Sequence, residues 1–134
     1  GHTAIPISTT EVLITGGYGE DPKSQIVFNG VSFVSKASMT YGRALHTATL
    51  LLDGRVLIVG GLSPSTSTSK STVLASYEIY KPTTNDFETS TASKTLNVAR
   101  AKHTSTRLSS GDVVIVGTYS TPSNVSEIWR TNTD

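Results

Sequence analysis

The 134-residue sequence contains no cysteine. Disulfides, thiolate metal sites and cysteine nucleophiles are therefore excluded. Charge is sparse: 16% of residues are Asp, Glu, Lys or Arg, against roughly 25% in an average soluble domain. The net charge is +1. The longest basic stretch, Arg100-Ala101-Lys102, is too short for a nucleic-acid footprint. No apolar run approaches the roughly 20 residues a helix needs to cross a bilayer. Neither a nucleic-acid partner nor membrane insertion is expected. Helix-forming residues at 3.6-residue spacing are missing too. What the chain has in plenty is Thr, which suits strands, and Ser, which suits turns. It reads as all-β.

Three segments repeat. His2-Thr3-Ala4 leads to Glu11-Val12-Leu13-Ile14-Thr15-Gly16-Gly17. His46-Thr47-Ala48 leads to Asp53-Gly54-Arg55-Val56-Leu57-Ile58-Val59-Gly60-Gly61. His103-Thr104-Ser105 leads to Gly111-Asp112-Val113-Val114-Ile115-Val116-Gly117-Thr118. The first glycine of each pair stands 14 residues after its histidine in every copy. A strand with a terminal aromatic follows, closing on Phe28, Tyr80 or Trp129, and a second aromatic comes after it, Phe33 or Phe87. Arg43 and Arg100 precede the next histidine by three residues.

The histidines are 44 and then 57 residues apart. The extra length of the second copy falls at predicted loops, chiefly the Ser/Thr tract from Ser63 to Thr72, read as a loop from its composition. Each copy thus offers four strand slots. The second slot is almost wholly apolar, as in Val56-Leu57-Ile58-Val59, and fits a strand buried on both faces. Asp53-Gly54 before it predicts a type I′ hairpin turn. Four antiparallel strands at a period of about 45 to 50 residues make a propeller blade.

The double glycines Gly16-Gly17 and Gly60-Gly61, the aromatic-ended strand and the run Tyr80-Lys81-Pro82-Thr83-Thr84-Asn85-Asp86-Phe87 resemble the kelch repeat, with Phe87 in the family's tryptophan slot. The form Arg-x-x-His-Thr followed by Asp-Gly-Arg-Val-Leu-Ile-Val-Gly-Gly is similar to copies in bacterial secreted proteins and in the galactose oxidase propeller. The resemblance covers almost the whole chain; Thr118 departs from it in the second-glycine position. It implies an all-β fold of three consecutive four-stranded antiparallel blades of a kelch-type β-propeller, an incomplete ring. The blades are assigned to residues 1–42, 43–99 and 100–134. The first starts inside the motif, and the third lacks its fourth strand. Two readings follow: a piece of a longer propeller, or chains that complete a ring together. The partners expected are further blades, from the same longer polypeptide or from identical chains.

Each candidate site has a structural counterpart reading. His2, His46 and His103 recur at equivalent positions, which admits a metal-holding ring. Neighbouring sheets pack about 10 Å apart, however, while zinc needs nitrogens about 2 Å away, so a reused packing solution is expected. Arg43 and Arg100 can bind an anion, or they can hold carbonyls and a carboxylate with their five donors; Glu78 and Glu127 recur as partners. Gly16, Gly17, Gly60, Gly61 and Gly117 end strands with no helix behind them, which argues against a phosphate loop. Tyr80, Phe87 and Trp129, like Phe28 and Phe33, suit carbohydrate stacking or blade-to-blade packing. Tyr18, Tyr41 and Tyr119 fall in predicted loops as exposed contacts. Asn124-Val125-Ser126 is an N-glycosylation sequon.

No metalloprotease His pair, nucleophile elbow or phosphate loop is present. The cysteine-crosslinked tyrosine that a galactose oxidase resemblance implies cannot form without cysteine. No cofactor is expected. A superfold supplies no activity by itself. The reading is a non-catalytic segment with a binding, adhesive or structural role in an extracellular or surface protein, taking a protein or carbohydrate ligand. The alternative is the propeller portion of a larger enzyme whose catalytic residues lie elsewhere. An intracellular adaptor is a third, less favoured reading.

Overall fold

A computed structural model of the chain describes residues 1–89, 95–119 and 125–131. Strands β1 (Thr3–Pro6), β2 (Val12–Thr15), β3 (Gln25–Phe28) and β4 (Phe33–Ser35) form one antiparallel sheet in that order. Strands β5 (Thr47–Leu50), β6 (Val56–Val59), β9 (Tyr77–Lys81) and β10 (Asp86–Thr89) form a second. The third sheet holds β11 (Thr104–Arg107), β12 (Val113–Val116) and β13 (Ser126–Trp129). No helix occurs among the described residues. The first strands β1, β5 and β11 lie side by side and join the sheets edge by edge. The sheets stand face to face as consecutive blades.

Two turn details differ from expectation. Leu51 and Arg55 close a wider loop than a type I′ turn: the Leu51 amide donates to the Arg55 carbonyl at 2.8 Å, and the Gly54 amide to the Leu51 carbonyl at 3.2 Å. Gly54 has φ +86° while Asp53 stays at negative φ. This is a type I turn followed by a left-handed glycine. The Asp53 carboxylate explains it, accepting from the Arg55 amide at 3.0 Å and from its guanidinium at 2.7 Å. The tract from Ser63 to Thr72 is also not wholly irregular. Its ends pair as β7 (Leu62–Ser63) and β8 (Thr72–Val73), and the Ser63 and Thr72 hydroxyls meet at 2.9 Å.

Two apolar cores sit between the blades. Leu13, Val27 and Met39 pack with Val56, Ile58 and Tyr80. On the other side of the second blade, Leu57, Val59, Tyr77 and Ile79 pack with Val113, Ile115 and Trp129. All four residues of β6 are therefore buried. Strands β2 and β12 fill the same slot in their blades but bury only alternate residues, in opposite phase: Leu13 and Thr15 in one, Val113 and Ile115 in the other. The slot expected to be buried on both faces is so only where a blade stands on each side. The side chains left open are Val12 and Ile14 on the first blade and Val114 and Val116 on the third.

Candidate functional site

The polar residues singled out in the sequence converge at the two junctions between blades. At the first, the Arg43 guanidinium is fully buried. Its Nη1 donates to the Gly60 carbonyl at 2.6 Å and to the Ser76 carbonyl at 3.3 Å. Its Nη2 meets the Glu78 carboxylate at 2.8 Å. Glu78, also fully buried, accepts two further bonds, from the Thr40 and Tyr41 amides at 2.7 and 3.3 Å. Burial pulls the Arg43 guanidinium below its ordinary range, and Glu78 opposes that shift. With both oxygens of Glu78 engaged, the buried pair is compensated rather than left as bare charge.

The second junction repeats this construction. Arg100 donates to the Gly117 and Val125 carbonyls at 2.9 and 3.2 Å and meets Glu127 at 2.8 Å. Glu127 accepts from the Asn97 amide at 3.2 Å. Each arginine thus ties the entry loop of a blade to the ends of its second and third strands.

The histidines face the preceding blade. His46 Nε2 lies 2.8 Å from the Thr15 hydroxyl and 3.1 Å from that of Thr3. His103 Nε2 lies 2.9 Å from the Thr47 hydroxyl. Burial, and then the charge of Arg43, lowers the His46 pKa to about 3. Burial, and then Arg100, lowers that of His103 to about 4. Both imidazoles are neutral at ordinary pH and act as hydrogen-bonding spacers. His2, at the matching place on the first blade, is exposed. Among the described residues no group of three His, Asp or Glu side chains can hold a metal.

The glycines make room for these residues. Gly60 sits at φ +60°, and a Cβ on it would collide with the Arg100 carbonyl of the next blade. Gly16 stands in the same relation to Arg43. The following amides close the junction, Gly17 to the Arg43 carbonyl at 2.9 Å and Gly61 to the Arg100 carbonyl at 2.8 Å. Gly117 has no atom near its missing Cβ, and Thr118 stands where the other copies have the second glycine.

Tyr80, Phe87 and Trp129 face the cores, whereas Phe28 and Phe33 pack on each other with ring centroids 5.2 Å apart and Phe33 is 64% exposed, so these two are not blade-to-blade packing here. Tyr80 is 1% exposed and packs on Phe87, ring centroids 5.2 Å apart. Trp129 meets Tyr77 edge-on at 6.2 Å. By contrast, Tyr18, Tyr41 and Tyr119 are exposed, and the Lys102 ammonium lies over the Tyr119 ring. Asn124 lies outside the described residues.

Sequence reasoning missed two parts of the junction. One is the set of histidine partners Thr3, Thr15 and Thr47; the His-Thr dipeptide present in all three copies was the available signal. The other is a main-chain ladder linking the blades. The Leu45 amide donates to the Gly1 carbonyl at 2.8 Å, and the Lys102 amide to the Leu45 carbonyl at 3.0 Å. Leu45 and Lys102 hold φ of 56° and 54°, a left-handed conformation that costs a non-glycine residue about 1 kcal/mol. Nothing in their side chains announces it.

The sequence matches no protein-family model and no curated protein. Its fold has clear counterparts among solved structures. YjhT superposes with a TM-score of 0.72 at 18% identity, over 87% of this chain and 33% of YjhT. A fungal alcohol oxidase of the AA5 family, in complex with copper, superposes with a TM-score of 0.72 at 19% identity, over 85% of this chain and 26% of the oxidase. The chain therefore spans about a third of the first neighbour and about a quarter of the second. At such identities the likeness shows fold alone: this chain is all-β, built of antiparallel β-propeller-like blades joined by a repeated polar junction.

Proposed function

We propose that the chain is a kelch-type segment of a larger propeller, with a non-catalytic binding, adhesive or structural role in an extracellular or surface protein. The observation that carries this reading is the employment of the polar residues. Arg43 and Arg100 fix the entry loops of their own blades through Glu78 and Glu127, and those carboxylates, with His46 and His103, reach the preceding blade. The low charge content and the Ser/Thr-rich loops support an extracellular setting. Tyr18, Tyr41 and Tyr119, exposed in loops, are the side chains best suited to contact a protein or carbohydrate.

The two open faces support further blades as partners. Val12, Ile14 and Phe28 match Val56, Ile58 and Tyr80, which pack against a preceding blade. Val114, Val116 and Ile128 match Leu57, Val59 and Ile79, which pack against a following one. The faces are of opposite kind, so further blades, of the same longer polypeptide or of identical chains, would cover them head to tail.

The likeness to the copper-bound alcohol oxidase favours a second reading, the propeller part of a larger enzyme. The residues here do not fit its metal: cysteine is lacking, and the described residues hold no group of three His, Asp or Glu side chains able to ligate one. The test is a glycan and peptide array probed with the chain, beside a copper-supplemented assay for peroxide from primary alcohols. Selective retention without peroxide supports a binding role. No retention and no peroxide leaves the structural role. Copper-dependent peroxide would overturn the non-catalytic reading.

A further inference from the structure

The first blade contains a cavity of about 290 Å³ lined by His2, Gly16, Gly17, Ser24, Glu20 and Asp21, among others. Its position relative to the repeat identifies it. In the second blade the Gly60 and Ser76 carbonyls and the Ser76 hydroxyl hold the Arg43 guanidinium. In the third, the Gly117 and Val125 carbonyls hold Arg100. Gly16 and Ser24 occupy those places in the first blade. The Gly16 amide donates to the Ser24 carbonyl at 3.0 Å, as the Gly60 amide does to Ser76 at 3.0 Å and the Gly117 amide to Val125 at 2.9 Å.

A second relation agrees. A Cβ built on Gly61 would stand 2.9 Å from the His46 Cβ and 3.3 Å from the Arg43 Cβ. One built on Gly17 would stand 3.2 Å from the His2 Cβ, and the cavity lies where Arg43 stands in the second blade. We propose that this cavity is a guanidinium site whose ligand is an arginine side chain. Gly16 and Ser24 line the cavity with the same two carbonyls and hydroxyl that their counterparts Gly60 and Ser76 offer Arg43, a set of acceptors that a guanidinium fork matches better than a lysine ammonium. Ile26 replaces Glu78 at the equivalent position, and the negative charge at the cavity comes from its lining residues Glu20 and Asp21, of which Asp21 also accepts from the Lys23 amide at 3.0 Å.

The probe is N-acetylarginine amide, titrated into the 134-residue chain and followed through its backbone amide resonances, with N-acetyllysine amide as control. The expected result is saturable shifts at Gly17, Glu20 and Ser24 in the millimolar range, with the lysine analogue about fivefold weaker or more. Glu20→Gln, an exposed change, is expected to weaken arginine binding without altering the fold. A second chain carries Arg-Ala ahead of Gly1. Its run Arg-Ala-Gly1-His2 then mirrors Arg43-Ala44-Leu45-His46 and Arg100-Ala101-Lys102-His103. An arginine in cis fills the site if this chain no longer binds the free analogue and melts about 3–5 °C above a Lys-Ala version. Preferential arginine binding that the extension neither blocks nor strengthens keeps the site and assigns its ligand to a separate molecule. Absence of shifts at Gly17 and Ser24, or equal shifts with the lysine analogue, overturns the proposal.

Discussion

Gln25 is a buried side chain without a role in the junctions. It is 2% exposed, on the face of β3 that also presents Val27 to the core, and neither Oε1 nor Nε2 has a hydrogen-bond partner among the described residues. A buried polar group left unmatched costs about 1–3 kcal/mol. Gln25→Met, close in shape and apolar, should therefore stabilise the chain by about 1 kcal/mol, read as a higher urea midpoint at unchanged slope. The histidines give a pH dependence of definite sign. Folded His46 and His103 titrate at about 3 and about 4, whereas an unfolded histidine titrates near 6.5. Between those values the unfolded chain binds more protons, so stability falls as pH drops below about 6.5, by about 1.4 kcal/mol per pH unit for each histidine. Above about pH 7 these two groups contribute no slope. His46→Gln should remove roughly half of the acid slope in urea midpoints measured from pH 7 to pH 4.5; an unchanged slope would show that the imidazole is not held neutral.

Among the elements, the buried Arg–Glu pair makes the sharpest prediction. Arg43→Met leaves Glu78 charged and enclosed, and should cost about 3–5 kcal/mol. The double change Arg43→Met with Glu78→Met should cost less than the sum of the single changes, because neither charge then stays buried alone. Additive losses in chemical denaturation would show that the two side chains do not act together. The strands themselves were readable from the sequence because their signals are local. Apolar runs such as Val56-Leu57-Ile58-Val59 and the recurring His, Gly-Gly and aromatic landmarks fall where strands and junctions lie. The hairpin before β6 was misread because Asp53 can satisfy the Arg55 amide with its own carboxylate, which favours a type I turn with the positive φ moved onto Gly54 alone. The β7–β8 pairing was missed because Ser/Thr composition speaks for solvation, not for what a nearby strand end can offer. The left-handed Leu45 and Lys102 were not legible at all, since the neighbouring blade imposes that conformation.

At the scale of the molecule, each blade has one face that receives the preceding blade and another that receives the next. The middle blade shows both faces covered, by Val56, Ile58 and Tyr80 on one side and Leu57, Val59 and Ile79 on the other. Direction along the chain is set by the same polarity: His46 and His103 reach back to threonines, and Gly17 and Gly61 reach forward to arginine carbonyls. These blades are thus interchangeable modules of one directional stack. Fusing a copy of residues 43–101 ahead of Gly1 tests it most directly. The splice recreates the run Arg100-Ala101-Gly1-His2, and the added blade presents its Leu57, Val59 and Ile79 face to Val12, Ile14 and Phe28. If the blades are interchangeable, urea unfolding of the fusion is a single transition with a higher midpoint and a steeper slope than the 134-residue chain, since slope scales with the surface exposed on unfolding. Two separate transitions, or a midpoint no higher than that of the original chain, would contradict it.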